Sequence, residues 1–368
     1  MLRIEVNGFR LIGARTGVGR YIEALLREWG GLLGADQVRL WVPDSLPADE
    51  SKALPFEVRV VGRGWPAMAW ESQFLPRNLQ EGSILFCPSY TLPVGYRGRC
   101  VVSNLGIYEA MPGQFPWWHR YRYGWHFRHS ARWATRVIAN SDSTRDDIVR
   151  YYGVPRERIQ VVLPGVDPAF RPRDVRDEIR PLRSELGLGD APYLLFVGKL
   201  SLRRHIPELL RAFDLLKADE RGLPHHLVIV GPNHLGLEIN SEIAGLAHRA
   251  EVHYVPHLGW DRLSTLYAGA DLFVLPTEHE GLSFTILEAL SSGLPVVTLD
   301  HAALQNGMRE AVVLARSPAP ADLAAAILPC LVDPDLRRRL RERSLEVGSR
   351  FSWKENARQT LEILREVA

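Results

Sequence analysis

The sequence predicts an α/β protein with two domains, each built around a parallel sheet. Short runs rich in Val, Ile and Leu alternate with amphipathic helical stretches from end to end, which is typical of parallel strands covered by helices. The chain has 368 residues, long for one hydrophobic core and ample for two. The stretch from Gly165 to about Leu188 is rich in Pro, Arg and Asp, has no apolar periodicity before Ile179, and is the predicted hinge.

The predicted elements follow in order along the chain. Seven strands are predicted in the first half, at Leu2–Asn7, Val38–Val42, Val58–Val61, Ile84–Cys87, Cys100–Ser103, Arg136–Ala139 and Ile159–Leu163. The clear helices there are predicted at Val18–Trp29, about Trp117–Ala134 and Ser143–Tyr152. Six strands with helices between them are predicted in the second half, at Tyr193–Val197, His226–Val230, Glu251–Tyr254, Leu272–Leu275, Val296–Leu299 and Val312–Leu314. A last helix begins at the capping box of Ser352 and Glu355 and has one apolar face to bury.

Composition and charge exclude several classes of protein. With 46% hydrophobic residues, 24% charged residues and a formal net charge of +2, the chain is an ordinary globular protein without a field that favours nucleic acid. Cys87, Cys100 and Cys330 lack metal-ligand spacing, and Cys87 and Cys330 lie in or beside apolar runs, so burial in a reducing compartment is expected. The first residues predict a strand and not a signal peptide, and no apolar run is as long as a membrane span. We therefore expect a cytoplasmic protein.

Two glutamates, Glu280 and Glu288, give the strongest functional signal. The apolar run Asp271–Leu275 predicts a buried parallel strand, and Ser283 opens a helix that Gly293 ends. Glu280 therefore lies on the loop after the strand, and Glu288 lies about one and a half turns into the helix.

The backbone N–H groups of Leu282, Ser283 and Phe284 lie between these two carboxylates and predict an anion site. Carboxylates beside a phosphate site suit a ligand whose hydroxyls donate hydrogen bonds to them. A nucleotide sugar carries sugar hydroxyls, phosphates and ribose hydroxyls in one line. The alternative is that Glu280 and Glu288 are solvated glutamates near a helix end.

Positive charges follow the predicted strand Tyr193–Val197. Gly198 and Lys199 come directly after it, and Arg203 and Arg204 begin the next helix. Ligands of parallel sheets bind at the carboxyl ends of the strands, so Lys199 and Arg204 could neutralise a diphosphate and stabilise it as it leaves. A solvated basic turn is the alternative.

These motifs together resemble the retaining glycosyltransferases of family 4, which have the GT-B fold. Glu280 and Glu288, followed by G-x-P-V-V, resemble the donor-site motif of that family. Thr16–Tyr21 resembles its amino-terminal glycine loop, Val161–Pro172 its interdomain connector, and Leu194–Phe213 its phosphate-binding strand and loop. The run FSWKENARQTLEILREV resembles its closing helix. The resemblance covers nearly the whole chain in the expected order.

The resemblance implies two Rossmann-like domains that face a central cleft. The expected division is an acceptor domain at 1–168, a nucleotide-sugar donor domain at 169–350, and a closing helix at 351–368 that crosses back onto the first domain. The implied activity moves a sugar from a UDP-, GDP- or dTDP-sugar to a saccharide or lipid-linked saccharide, with retention and without a cofactor or required metal. Bacterial surface polysaccharide assembly is the implied setting, in the cytoplasm or peripherally on the inner face of the cytoplasmic membrane.

The resemblance also implies roles for the donor-site residues. Glu280 would bind the transferred sugar, Glu288 the ribose hydroxyls, and Lys199 with Arg204 the diphosphate beside Gly198. The usual order in the family is Arg and then Lys, five positions apart. Lys199 and Arg204 keep this spacing but exchange the residue types, so the charge is retained and the fork geometry is not.

The first domain contributes three predicted substrate-binding residues. Gly17 and Gly19 follow the first strand and allow close approach of the backbone, which the resemblance assigns to the donor phosphate. Asn104 stands where the family generally has a histidine, and Leu105 where it has an aspartate. Because asparagine cannot titrate, an altered sugar pocket is expected, and a 6-deoxy donor is the hypothesis that follows.

Two further segments have competing interpretations. The segment 115–136 is dense in Trp, Tyr, Arg and His, which suits a surface for anionic lipid headgroups, a stacking platform for acceptor sugars, or an ordinary amphipathic helix. Asp333 and Asp335 form a D-x-D motif, but they precede the predicted helix Leu336–Val347, which favours capping over metal ligation.

Other functions on the same fold stay open at the level of sequence. A nucleotide-sugar epimerase needs acid and base groups that converge in the cleft, and no convincing set is evident. A phosphorylase would use inorganic phosphate without a nucleotide. Asn104 also permits a non-catalytic relative that binds a saccharide or a protein partner.

Overall fold

The protein consists of two compact α/β units. The computed structural model describes residues 2–13, 17–47, 54–107, 124–233 and 237–368. Unit 1 comprises Met1–Gly165 together with Ser352–Ala368, and unit 2 comprises Val166–Phe351. Each unit contains a parallel sheet with helices, as the alternation of strand and helix patterns predicts.

Unit 1 is built on a seven-stranded parallel sheet. Its strands are β1 (Ile4–Asn7), β2 (Val38–Val42), β3 (Glu57–Val60), β4 (Ile84–Cys87), β5 (Cys100–Asn104), β6 (Arg136–Ala139) and β7 (Ile159–Val161). Its helices before the chain enters unit 2 are α1 (Gly17–Trp29), α2 (Ala67–Gln73), α3 (Leu75–Asn78), α4 (Trp125–Trp133) and α5 (Asp142–Asp147), the last continued by a π-helical turn at Ile148–Tyr152.

Unit 2 is built on a six-stranded parallel sheet. Its strands are β8 (Tyr193–Val197), β9 (His226–Val230), β10 (Val252–Val255), β11 (Leu272–Leu275), β12 (Val296–Leu299) and β13 (Val313–Ala315). Its helices are α6 (Arg176–Leu186), α7 (Ile206–Lys217), α8 (Ile239–Ala244), α9 (Trp260–Gly269), α10 (Phe284–Ser291), α11 (Met308–Ala311), α12 (Pro320–Val332) and α13 (Pro334–Gly348).

The strand order gives each sheet one point where the winding direction reverses. The order is β3-β2-β1-β4-β5-β6-β7 in unit 1 and β10-β9-β8-β11-β12-β13 in unit 2. The reversal therefore lies between β1 and β4 in the first sheet, and between β8 and β11 in the second. In doubly wound sheets ligands bind outside the carboxyl ends of the strands at this point.

The last helix, α14 (Trp353–Val367), completes the core of unit 1. Ala357, Leu361 and Leu364 are buried against α1 and the sheet. The Trp29 indole donates a hydrogen bond to the Ala357 carbonyl at 3.1 Å, and the Asn356 side chain donates one to the Leu163 carbonyl at 2.8 Å. The predicted return of this helix to the first domain is therefore confirmed.

The predicted hinge contains a helix that the composition of this stretch does not indicate. Within this stretch, α6 begins after Val175 and buries only Ile179 and Leu182. The many charged residues and the internal Pro181 leave no clear helical spacing of apolar residues in the sequence. The predicted helix at about 117–134 is observed as α4 over its second part, and 117–123 lie outside the described residues. All three cysteines are buried and unpaired with one another, as expected for Cys87 and Cys330.

Candidate functional site

The turn after β8 is shaped by one glycine. Gly198 has φ +154°, and a Cβ atom there would lie 2.0 Å from Nη1 of Arg204. The chain then passes Lys199 and enters a short 3-10 helix, Leu202–Arg204. The guanidinium of Arg204 therefore occupies the space that a side chain at position 198 would fill, and its Nη1 donates to the Lys199 carbonyl at 3.2 Å.

Glu280 follows β11 and forms ion pairs with both arginines of this turn. Its Oε1 accepts hydrogen bonds from Nη1 of Arg203 at 2.7 Å and from Nη2 and Nε of Arg204 at 2.9 and 3.2 Å. The hydroxyl of Thr277 lies 3.2 Å from the same oxygen and 3.1 Å from Nη1 of Arg203. The Arg203 guanidinium also donates to the His279 carbonyl. Since β8 and β11 are neighbours, this cluster sits at the reversal point of the sheet.

The electrostatics of the cluster favour an anionic ligand. Burial would raise the pKa of Glu280, but the charges and hydrogen bonds of Arg204 and Arg203 outweigh it and lower the pKa to about 2. Glu280 is therefore ionised at neutral pH. Partial burial lowers the pKa of Lys199, and the charges of Arg204 and Arg203 lower it further. Two arginines thus bind one carboxylate, and the charge of Lys199 is felt beside them, which leaves an excess of positive charge.

The helix after Glu280 begins where the sequence predicts an anion-binding terminus. Ser283 is the N-cap of α10, and its hydroxyl accepts a hydrogen bond from the Ile286 N–H at 3.4 Å. Leu282 and Ser283 are buried, and Phe284 is the first helical residue. The first N–H groups of a helix lack partners within the helix, so they point toward any ligand at this end.

Glu288 lies on the same helix but binds a different neighbour. It is buried, and its Oε2 accepts a hydrogen bond from the Tyr267 hydroxyl at 3.0 Å. The Tyr267 ring is held between Phe170 and Phe273 by aromatic contacts. Glu288 is therefore fixed by a packed tyrosine rather than by the arginines that bind Glu280.

Gly17, Gly19 and Asn104 belong to unit 1. Gly17 and Gly19 lie in the first turn of α1. The sequence predicts that this helix begins one residue later, at Val18, so Gly17 belongs to the helix and not to the preceding loop. Gly17 is exposed and Gly19 is buried. Asn104 is the last residue of β5 and is fully buried. Among the described residues, neither atom of its amide has a hydrogen-bond partner. The strand thus presents an unsatisfied amide at its carboxyl end.

The structure brings some of the predicted residues together directly. Gly198, Lys199, Arg204 and Glu280 form one contiguous cluster, while Glu288 is placed separately on α10. Arg203 also binds Glu280 in this cluster. From the sequence, only Lys199 and Arg204 are assigned to the diphosphate, and Arg203 is missed. Adjacent residues usually point apart, and only the 3-10 turn lets both arginines reach one carboxylate.

The D-x-D motif is a helix cap, as predicted. The Asp333 carboxylate accepts from the N–H groups of Asp335 and Leu336, both at 2.9 Å. Asp335 is paired with Arg338 at 3.0 Å. Across the described ranges, no group of three or more His, Cys, Asp or Glu side chains is arranged to hold a metal ion.

The described part of the segment 115–136 carries an aromatic stack on α4. The rings of Trp125 and His129 are 5.1 Å apart, and those of His129 and Trp133 are 4.9 Å apart, in stacked geometry. Trp125 and Trp133 are 53% and 46% exposed, which is unusual for tryptophan. The Arg97 guanidinium lies over the Trp133 ring at 5.6 Å. No helix of the described chain is long and apolar enough to cross a membrane.

Two doubly wound sheets, one with a basic cluster at its reversal point, define a two-domain α/β protein. Comparison with known proteins places it more closely. Residues 15–170 match the model of the family described as "Glycosyltransferase Family 4", and residues 178–347 match that of "Glycosyl transferases group 1". The chain belongs to glycosyltransferase family 4, as the motifs predict.

The curated relatives agree with this family. The chain is 32% identical over 238 residues to a D-inositol 3-phosphate glycosyltransferase of Nocardia farcinica, which covers 62% of this chain and 52% of the relative. It is 34% identical over 245 residues to D-inositol 3-phosphate glycosyltransferase 2 of Catenulispora acidiphila, and that match covers 62% of this chain and 56% of the relative. The chain spans about half the length of the curated relatives it matches.

Solved structures show the same fold. Anabaena HepE, crystallised in complex with UDP and glucose, superposes with a TM-score of 0.77 over 99% of this chain and 100% of its own, at 17% identity. At this identity the likeness concerns the fold alone. The predicted GT-B fold, with two Rossmann-like parallel-sheet domains, is confirmed.

Proposed function

We propose that this protein transfers a sugar from a nucleotide diphosphate donor to a saccharide or lipid-linked saccharide, with retention and without a required metal. The observation that carries the proposal is the cluster at the reversal point of unit 2, where Arg203 and Arg204 bind the carboxylate of Glu280 and Lys199 lies close enough to feel their charges. The excess positive charge suits a diphosphate, and the carboxylate suits a sugar hydroxyl beside it. Family membership supports the same chemistry.

The proposed reaction exchanges one bond at the anomeric carbon. The bond from that carbon to the diphosphate oxygen breaks, and a bond to the acceptor oxygen forms on the same face of the sugar. The acceptor proton passes to the leaving diphosphate, so the protein needs no nucleophile or separate base. Its contribution is to hold the developing negative charge of the diphosphate with preorganised cations.

The donor and the acceptor are open to a direct screen. HepE was crystallised with UDP and glucose, and the curated relatives are named for D-inositol 3-phosphate, so UDP-glucose and an inositol phosphate belong in the panel. UDP-, GDP- and dTDP-sugars with and without a 6-hydroxyl test the hypothesis drawn from Asn104. Preference for a 6-hydroxylated hexose removes that hypothesis and leaves the transferase proposal intact.

The nucleotide-binding role of Glu288 gives a first test. Replacing Glu288 with alanine should weaken nucleotide binding by roughly 10- to 100-fold, because a hydrogen bond to a charged group contributes about 1.5–3 kcal/mol. The measurement is the thermal shift produced by nucleoside diphosphates and nucleotide sugars.

The matched control is Tyr267→Phe, which removes the 3.0 Å contact to Glu288 but keeps the carboxylate. It should retain most of the nucleotide response. An unchanged shift in Glu288→Ala contradicts the proposed ribose contact. Turnover with inorganic phosphate indicates a phosphorylase, a rearranged nucleotide sugar without acceptor indicates an epimerase, and binding without donor hydrolysis indicates a non-catalytic relative.

The aromatic stack of α4 supports a second proposal, that the protein contacts anionic membrane surfaces. Exposed Trp125 and Trp133 are suited to the interfacial region of a bilayer, and Arg97 and Arg128 supply positive charge beside them. A platform for acceptor sugars would use the same rings, and saccharide binding that needs them in the absence of vesicles favours that alternative.

Membrane contact predicts a defined loss on substitution. Replacing Trp125 and Trp133 together with alanine should reduce cosedimentation with phosphatidylglycerol vesicles roughly tenfold, because burial of apolar surface contributes about 25 cal/mol per Å². Trp65, which is 50% exposed on another part of unit 1, is the control. Equal loss in Trp65→Ala, or equal binding to phosphatidylcholine alone, contradicts the proposal.

A further inference from the structure

A buried histidine at the same sheet edge as the Glu280 cluster has no hydrogen-bond partner within the described ranges. His301 follows β12, at the carboxyl edge of the unit 2 sheet, and is 6% exposed. Among the described residues, neither of its ring nitrogens has a partner, and neither is open to water. Such a ring loses its hydrogen bonds to solvent without replacement, which costs roughly 1–3 kcal/mol for each polar atom.

His301 and Glu280 follow the neighbouring strands β12 and β11, so both lie at the carboxyl edge of the unit 2 sheet. Burial lowers the pKa of His301 to about 4, and the nearby charge of Glu280 acts in the opposite direction, with smaller effects from His279, Asp300 and Arg203. The imidazole is therefore neutral at physiological pH and carries one N–H donor. At the same sheet edge, the Oε1 atom of Glu280 is bound by Arg203 and Arg204 in the ligand-free protein.

A diphosphate would compete for those arginines. In the proposed reaction the cations turn toward the phosphates, and Glu280 then loses part of the compensation for its buried charge. An ionised buried carboxylate needs a replacement donor, because an unpaired buried charge is strongly unfavourable. The N–H of His301 lies at the same edge of the sheet and, within the described part of the chain, has no hydrogen-bond partner.

We propose that His301 is a positioning residue that donates a hydrogen bond to Glu280 when a nucleotide diphosphate draws Arg203 and Arg204 away. This inference rests on the proposed function. It explains why an unsatisfied histidine is retained in the core of the donor domain: its partner arrives only in the ligand-bound state. His301 then holds the Glu280 carboxylate toward the sugar while the arginines hold the diphosphate.

A double-mutant cycle tests the coupling. His301→Leu should weaken binding of UDP-glucose, or of whichever nucleotide sugar gives the largest wild-type thermal shift, about tenfold by titration calorimetry. In the Glu280→Gln background, which has no charge to compensate, the same His301→Leu change should alter affinity less than about twofold. His301→Asn, which keeps an N–H donor, should recover part of the affinity.

A purely structural role predicts a different outcome. It would weaken binding equally in both backgrounds and would overturn the inference, as would unchanged affinity in His301→Leu. The matched control is His225→Leu, because His225 is equally buried at 6% exposure and also has an unpartnered ring nitrogen, but precedes β9 at the opposite edge of the sheet. It should leave affinity unchanged. If the wild-type protein binds no nucleotide sugar, the proposed function fails as well.

Discussion

Replacing Lys199 with alanine is expected to reduce kcat by roughly 100- to 1,000-fold, the loss typical of removing one preorganised donor from a developing negative charge. Lys199 is exposed at the edge of the cluster, and no carboxylate of the described chain pairs with it. Its charge is therefore available to the diphosphate of the proposed reaction. Because Arg203 and Arg204 repel it, stability should be unchanged or slightly higher in the variant.

The measurement is donor turnover at saturating substrate, together with a melting curve. Lys354, an exposed lysine of α14 in unit 1, is the control and should give wild-type rates as alanine. Near wild-type kcat in Lys199→Ala would mean that the leaving diphosphate is held elsewhere. Lys199→Arg should recover part of the rate, because the charge returns with a different geometry.

Replacing Glu280 with alanine should destabilise unit 2 by about 3 kcal/mol and abolish transfer, because removal of one partner leaves buried charges uncompensated. Arg203 and Arg204 would face each other without the carboxylate that holds them at 2.7 and 2.9 Å. Denaturant unfolding at pH 7 measures the loss. The exposed pair of Glu185 and Arg262 is the control, and Glu185→Ala should change stability by less than about 1 kcal/mol.

The destabilisation should depend on pH in a definite direction. The pKa of Glu280 is about 2 in the folded protein, against an ordinary value of 4.5. A lowered folded-state pKa gives stability that is complete above about pH 4.5 and is lost as the pH falls toward 2. The difference in unfolding free energy between wild type and Glu280→Gln should therefore shrink over this range. A constant difference would show that charge is not the cause.

Much of the fold is readable from the sequence because its strands are buried on both faces. The strands β2, β4, β6, β8, β9, β11 and β12 coincide with the predicted runs. Such strands are continuous hydrophobic segments bounded by polar loops, and few other structures produce that pattern. The helix α6 is harder to read, since two buried side chains among many charges leave little periodicity.

The candidate site is readable only in part. The positions of Lys199, Arg204 and Glu280 follow from the rule that ligands meet the carboxyl ends of parallel strands. The pairing of both arginines with one carboxylate depends on the 3-10 turn and on His205, whose φ is +47°. Nothing local in the sequence specifies that geometry. The role proposed for His301 is also not predictable from the sequence, because a single histidine after a strand does not indicate whether its ring nitrogens have hydrogen-bond partners.

The placement of α14 has a consequence for how the protein is made. Residues up to 165 emerge from the ribosome before residues 353–367, so the surface formed by α1 and the neighbouring strands stays uncovered until residues 353–367 have been synthesised. Unit 2 is continuous in sequence, so it can fold before the last helix of unit 1 has been synthesised. A fragment cut after residue 165 would expose the apolar groove around Trp29 and would be prone to aggregate.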